Sequence, residues 1–330
     1  MGIDFRIPVV LKGTGMYVPE KVLTNDDLEK MVETSDEWIT SRTGIRERHV
    51  SDGELTSDIA AKAGVAALKE AGLDPEDIDM VIVATNTPDT VFPGVGPKVQ
   101  YLIGAQRAGA FDLQAGCTGC VYALTVAASG IGSGLWKNVL VIGAEVLSRL
   151  LDWNDRNTCV LFGDGAGAAV LTAGDGDNSI LAAELHAEGE KSDLIIFPGG
   201  LVEKPATHET VDAGEHFIKM KGNDVFKYVN TVLPPFLKRL CADAGMEPKD
   251  VDWWIFHQAN IRIIEGVLKR MKVDPAKSIV NLDRYGNTSA ASVFLALHEG
   301  LQKGMLKKGD NVVMASFGAG MTYGAIMLRI

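Results

Sequence analysis

The residue with the most chemistry to offer in this 330-residue chain is a cysteine at the start of an apolar helix. Phe111-Asp112-Leu113-Gln114-Ala115-Gly116 reads as a short strand closing on glycine, and Thr118 to Ala128 reads as an apolar helix. Cys117 therefore occupies a strand-to-helix junction. The positive end of a helix dipole, with unpaired backbone N–H groups beside it, favours thiolate over thiol. The same N–H groups can hold a developing oxyanion. Two plainer readings compete. Cysteine is often just a small buried hydrophobe. And Cys117-Thr118-Gly119-Cys120 spells C-x-x-C, which in a cytosolic α/β protein can be a redox pair. Nucleophilic catalysis needs partners elsewhere in the chain.

Those partners come from an internal repeat. Ala71-Gly72-Leu73-Asp74-Pro75-Glu76-Asp77-Ile78-Asp79 leads into the apolar run Met80 to Ala84, and Ala244-Gly245-Met246-Glu247-Pro248-Lys249-Asp250-Val251-Asp252 leads into Trp253 to His257. Both read as a helix ending at glycine, a Pro-acidic turn, then a strand. Gly116-Cys117-Thr118 has a counterpart in Gly286-Asn287-Thr288, and Phe162-Gly163-Asp164-Gly165 in Phe317-Gly318-Ala319-Gly320. The offsets, 173, 170 and 155 residues, drift as loop insertions would make them drift. A period this long is no solenoid. It predicts two α/β halves about a pseudo-twofold axis, one spanning 1–175 and the other 176–330, with a connector and loops in the Gly- and charge-rich stretch 174–220. The helix starts at Cys117 and Asn287 become symmetry mates, and His257 ends the repeated strand of the second half. Ligands in α/β sheets bind beyond the carboxyl ends of strands, so Cys117, His257 and Asn287 are expected in one pocket.

Composition bounds the rest. The chain is 46% hydrophobic and 23% charged, as soluble globular proteins are. A net charge of −11 argues against general nucleic-acid binding. Four cysteines make no disulfide scaffold and suit a reducing cytoplasm. No signal peptide and no membrane-spanning apolar run are expected. Asn287-Thr288-Ser289 matches a glycosylation acceptor by chance.

Three separated strings resemble one family. Ala115-Gly116-Cys117-Thr118-Gly119, Phe256-His257-Gln258-Ala259-Asn260 and Tyr285-Gly286-Asn287-Thr288-Ser289-Ala290-Ala291-Ser292 are similar to the active-site segments of β-ketoacyl-acyl carrier protein synthase III. The likeness runs from Gly13-Thr14-Gly15, through Thr34 to Ile39 and Ser41 to Arg48, to Phe317-Gly318-Ala319-Gly320. It implies an α/β thiolase-like fold, its two halves layered αβαβα. It also implies an acyltransferase that condenses a primer, acetyl-CoA by default, with malonyl-acyl carrier protein to start type II fatty-acid synthesis. Cys117 would carry the acyl group, and His257 with Asn287 would hold the enolate oxygen. The Cys117 and Ala319 N–H groups would hold the second oxyanion.

By the same resemblance, Trp38 and Arg42 sandwich the CoA adenine, Thr34 and Arg156 make further CoA contacts, and Asn223 and Asn260 touch the pantetheine arm. Phe226 lies close by. Phe92 matches a residue that reaches into the neighbouring subunit's pocket and limits primer size, so a homodimer is implied. Arg262, Lys269 and Arg270 are spaced to share one helix face. With Lys227, they are expected to form a docking patch for the acidic carrier protein. No metal and no redox cofactor are expected: His208, Glu209, Glu215 and His216 have no H-E-x-x-H spacing. The Gly-rich run at Phe162 leads into a strand-like segment, a poor dinucleotide loop. Three alternatives stand beside this reading. One is a condensing enzyme of secondary metabolism with another primer. Another is a thiol oxidoreductase using Cys117 and Cys120, and the third is a CoA-binding protein without catalysis.

Overall fold

The computed structural model describes residues 5–175 and 179–330; the first four residues and the joint expected after residue 175 lie outside the described residues. The strands of the first sheet are, in chain order, β1 (Val9–Tyr17), β2 (Met80–Ala84), β3 (Gly109–Leu113), β4 (Asn138–Glu145) and β5 (Gly165–Ala173). They lie side by side as β1-β5-β4-β2-β3. The second sheet has β6 (Ile180–Ala187), β7 (Trp253–Phe256), β8 (Asn311–Gly318) and β9 (Thr322–Arg329), ordered β7-β8-β9-β6. Taken from its β6 edge, it repeats the first sheet: two antiparallel pairings, then a parallel one. A parallel bridge from Trp254 to Ser278 marks the place where the first sheet has β3.

The expected repeat is thus a repeat of strand order, with two corrections. Gly318 pairs Thr322 as Glu145 pairs Gly165, so strand register makes Glu145, not Gly163, the counterpart of Gly318. The Phe-Gly strings fall at different places because residues 146–164 between β4 and β5 are matched by only 319–321 between β8 and β9. The stretch 174–220 is also more than connector and loops. It contains β6, the edge of the second sheet, and a two-stranded ribbon of Ile195–Ile196 and Lys219–Met220.

Seven helices hold these sheets: α1 (Asp36–Thr43), α2 (Thr56–Ala71), α3 (Val95–Leu102), α4 (Gly119–Gly132), α5 (Gly222–Asp243), α6 (Ile261–Met271) and α7 (Ser292–Gln302). α2 and α3 cover the outer face of the first sheet, while α5, packed by α6, covers the second. α4 and α7 lie between the sheets and touch both. Residue type dictates this layering. α4 buries Cys120, Val121, Ala123, Leu124, Ala127 and Ile131 over a wide face, as a helix packed between two sheets needs, while Ser129 stays exposed on its far side. β4 is buried at all its positions, as a strand covered on both faces must be. α6 is two-faced: Ile263, Ile264, Val267, Leu268 and Met271 are buried, while Arg262, Glu265 and Lys269 are exposed. No helix among the described residues is long and apolar enough to cross a membrane.

Candidate active site

The two central helices bring the site together. Cys117 stands two residues before α4, and Asn287 stands two residues before the 3₁₀ turn Ser289–Ala291 that feeds α7. His257 follows β7 directly. All three line one cavity of about 680 Å³.

The backbone around Cys117 is packed too closely for side chains. A Cβ on Gly318 would fall 2.3 Å from the Cys117 nitrogen, and one on Gly116 would fall 2.6 Å from the Ala319 nitrogen. Gly116 also has φ +58°, a conformation glycine adopts at little cost. The turn these glycines permit lays the 116–117 and 318–319 segments against each other. Ala319 stands on this backbone contact and is not among the residues lining the cavity. Not every N–H expected at the junction is open. Those of Thr118 and Gly119 donate back to the carbonyls of Ala115 and Gly116, at 3.2 and 3.1 Å. Burial pushes the Cys117 thiol up to about 12, against the pull of a hydrogen bond from Ser289. The helix start does not by itself make a thiolate here, because desolvation outweighs it.

His257 is buried and neutral, because burial alone pushes its imidazole down to about 3. Its tautomer follows from its partner. Ser292 Oγ accepts from the Gln258 N–H at 3.3 Å and lies 2.7 Å from His257 Nδ1, to which it can give its own hydrogen. With Nδ1 accepting, the ring proton is on Nε2. The ring of Phe317 meets the imidazole edge-on at 5.1 Å. Asn287 is held likewise: its Oδ1 accepts from the Ser289 N–H at 2.8 Å, leaving the amide hydrogens to donate. The site therefore combines a nucleophilic sulfur with two neutral hydrogen-bond donors, a set suited to oxyanions.

Four residues of this arrangement escaped the sequence reading: Ser292, Ser289, Asn86 and Glu145. Glu145 had a signal of its own, since a lone carboxylate ending a wholly buried strand needs partners. Ser289 and Ser292 are small hydroxyls in a helix start, where nothing in the sequence sets them apart from caps.

Trp38, Arg42, Arg156, Asn223, Asn260, Arg262 and Phe226 line the same cavity, and Thr34 does not. The Trp38 ring lies under both Arg42 and Arg156, each guanidinium 5.0 Å from its centroid. That leaves no space for a further ring between Trp38 and Arg42 unless a guanidinium moves. Asn260 caps α6, its Oδ1 accepting from the Arg262 N–H at 2.8 Å, so only its amide hydrogens remain for a ligand. Thr34 keeps a buried hydroxyl without a partner. All four residues of the expected basic face, Lys227, Arg262, Lys269 and Arg270, are exposed. Arg270 also donates to the Asn230 carbonyl of α5, and Lys227 lies 3.8 Å from Asp224. Phe92 is 84% exposed and does not line its own chain's cavity. Cys120 is fully buried in the central layer, and burial pushes its thiol above the ordinary range. No group of three or more His, Cys, Asp or Glu among the described residues is placed to hold a metal.

Comparison with known proteins agrees with this geometry. Residues 111–189 match the family model 3-oxoacyl-[acyl-carrier-protein] synthase III, and residues 241–330 match the model of its C-terminal part. The β-ketoacyl-[acyl-carrier-protein] synthase III of Caldanaerobacter subterraneus subsp. tengcongensis is 49% identical over 325 residues, covering 98% of each chain. The crystal structure of 3-oxoacyl-[acyl-carrier-protein] synthase III from Aquifex aeolicus superposes with a TM-score of 0.91 at 44% identity, covering 98% of this chain and 100% of that one. The priming β-ketosynthase of the R1128 polyketide pathway gives 0.91 at 31% identity, covering 100% of this chain and 98% of its own. Two sheets of repeated strand order carry one cavity lined by cysteine, histidine and asparagine, and near-full-length kinship runs with them. On these grounds the chain belongs to the β-ketoacyl-[acyl-carrier-protein] synthase III family, condensing acyltransferases of fatty-acid biosynthesis with the thiolase-like fold.

Proposed function

We propose that this chain condenses an acyl-CoA primer, acetyl-CoA by default, with malonyl-acyl carrier protein, and that Cys117 carries the acyl group between the two half-reactions. Cys117 as thiolate attacks the primer thioester, the C–S bond to CoA breaks, and the CoA thiolate leaves and is protonated. In the malonyl group the bond to the carboxylate then breaks. CO₂ departs and the electron pair remains as an enolate. His257 Nε2–H and the Asn287 amide donate to its oxygen, and the carbanion attacks the acyl-Cys117 carbonyl. The Cys117 and Ala319 N–H groups receive that second oxyanion before the thiolate leaves and 3-oxoacyl-carrier protein is released. Trp38, Arg42, Thr34 and Arg156 hold the CoA nucleotide end, while Asn223 and Asn260 hold the pantetheine arm. Arg262 and Lys269, with Lys227 and Arg270 at the margin, receive the carrier protein. No cofactor takes part in these steps.

The observation that carries this reading is a buried, neutral His257 in one cavity with Cys117 and Asn287, its Nδ1 engaged by Ser292 and its Nε2 left for a ligand. A redox pair would need a resolving thiol open to exchange, and Cys120 has no exposed surface. We further read 1–175 and 176–330 as the two fused halves, the first supplying the nucleophile and the second His257 and Asn287. The protein is read as a cytoplasmic homodimer whose Phe92 enters the neighbour's primer pocket.

Intact mass after mixing with a panel of acyl-CoAs, followed by peptide mapping, tests this. A single acetyl adduct on Cys117 is expected. An adduct formed only by longer or branched acyl-CoAs would move the chain to another pathway. No adduct from any donor, with Cys117 and Cys120 cycling to a disulfide, would replace condensation by redox chemistry.

A further inference from the structure

A line of polar groups runs from Cys117 into the first sheet, and the condensation chemistry above makes no use of it. β4 ends on Glu145, a carboxylate with no exposed surface. Burial pushes its carboxyl up, and hydrogen-bond donors rather than cations act against that. The Asn86 N–H reaches it at 3.0 Å, Asn86 Nδ2 at 2.6 Å, Thr87 Oγ1 at 2.8 Å and Thr85 Oγ1 at 3.3 Å.

Asn86 Nδ2 faces Glu145 Oε1, so the amide presents its NH₂ to the carboxyl group. The second hydrogen of that NH₂ reaches Ser289 Oγ at 3.3 Å. Ser289 Oγ therefore accepts from Asn86, and its single hydrogen has two acceptors in reach: Cys117 Sγ, 3.2 Å away, and the Glu145 carboxyl group. Glu145 holds the amide, and the amide donates to the hydroxyl that lies beside the sulfur.

The backbone supplies an independent observation. Ser289 has φ +46°, in the left-handed region. A non-glycine residue resists that conformation, and such residues persist where the surroundings impose it, commonly at active sites. From this position the Ser289 N–H holds Asn287 Oδ1 while its hydroxyl meets Cys117.

We propose that Ser289 is a catalytic residue, aimed by Asn86 and Glu145, whose hydroxyl donates a hydrogen bond to Cys117 Sγ and holds the sulfur when it becomes a thiolate. Hydrogen bonds to charged groups are about twice as strong as neutral ones, so this bond strengthens as the nucleophile forms. The rival acceptor is the Glu145 carboxylate, on which Ser289 also acts. A hydroxyl committed to Glu145 would give Cys117 nothing.

The role depends on the sulfur being the nucleophile, yet it can be read without any acyl substrate. Alkylation of Cys117 by iodoacetamide is followed against pH, with peptide mapping to separate it from the other cysteines. Ser289→Ala removes the hydroxyl and keeps the strained backbone; Ser289→Gly removes the hydroxyl and relieves the strain. Both are expected to show a pH–rate profile lower by about tenfold throughout the range below the thiol midpoint. Asn86→Ala, which leaves the hydroxyl unaimed, is expected to move it the same way by less. An unchanged profile in both serine variants overturns the proposal. So does a loss in the alanine variant that glycine restores, which would assign the effect to the backbone. The profile decides this whether or not any acyl-CoA acylates the wild-type protein.

Discussion

A histidine that stays neutral serves this site better than one that titrates. In the proposed reaction His257 donates from Nε2 to a forming oxyanion, and burial keeps it uncharged down to about pH 3. Malonyl-thioester decarboxylation should therefore show no acid limb near pH 6.5; a limb there would mean that His257 acts as a titrating base. The same burial has a cost in acid. The unfolded chain takes up a proton at His257 below pH 6.5, which the folded chain refuses until about pH 3. Stability from this residue is complete above pH 6.5 and falls by up to about 5 kcal/mol on the way down to pH 3. Denaturant unfolding at pH 7 and pH 4 should show a smaller acid loss for His257→Asn than for wild type, and equal losses would remove the linkage. Ser292→Ala frees Nδ1 and lets the ring proton choose either nitrogen. Decarboxylation should fall by about tenfold while Cys117 acylation is kept. Equal loss of both steps would make Ser292 a mere packing residue.

At the scale of elements, the site depends on how closely two turns approach. Gly318→Ala would drive a methyl group to 2.3 Å from the Cys117 nitrogen and 3.0 Å from its Cβ. Displacing the nucleophile by about 1 Å costs about 100-fold in rate. Acylation followed by intact mass should drop at least that far with the fold retained. Gly72, which ends α2 at φ +65°, is the contrast, since nothing lies within 4 Å of an added Cβ. Gly72→Ala should cost about 1–2 kcal/mol of stability and leave acylation untouched. Near-normal acylation by Gly318→Ala would show that the close approach is not what places Cys117.

For the whole molecule, four exposed apolar residues lie close in sequence before and along α3, while others, such as Val202 and Leu135, are scattered. Phe92 is 84% and Tyr101 74% exposed, with Val91 and Leu102 beside them. Apolar surface of that kind marks an interaction site. Sedimentation equilibrium should give twice the 35.3 kDa chain mass, and Phe92→Asp with Tyr101→Asp should halve it. If Phe92 serves the neighbour's pocket, the same double variant should also change which primer lengths acylate Cys117. A wild-type monomer with unchanged primer choice would leave Phe92 without that role.

Much of this site was legible in the sequence because it is written twice. The Pro-acidic turns before β2 and β7, and the Gly-x-Thr strings at Cys117 and Asn287, fixed which residues had to meet before any coordinate did. Chain chemistry alone sufficed for that, since glycine turns, apolar runs and a lone nucleophile are local signals. Other features belong only to the folded state. A half-buried thiol pushed up to about 12 runs against the expectation drawn from a helix start, because desolvation depends on everything packed around Cys117. Arg270, exposed on α6, also reaches a carbonyl of α5, a contact between residues 40 positions apart. The Phe-Gly strings proved unequal partners, because an insertion is invisible until strand register counts it. Ser289, Asn86 and Glu145 were silent for the same reason. Hydrogen-bond direction is a property of neighbours in space, and these three come from a loop, a helix start and the end of a strand that only the tertiary structure brings together.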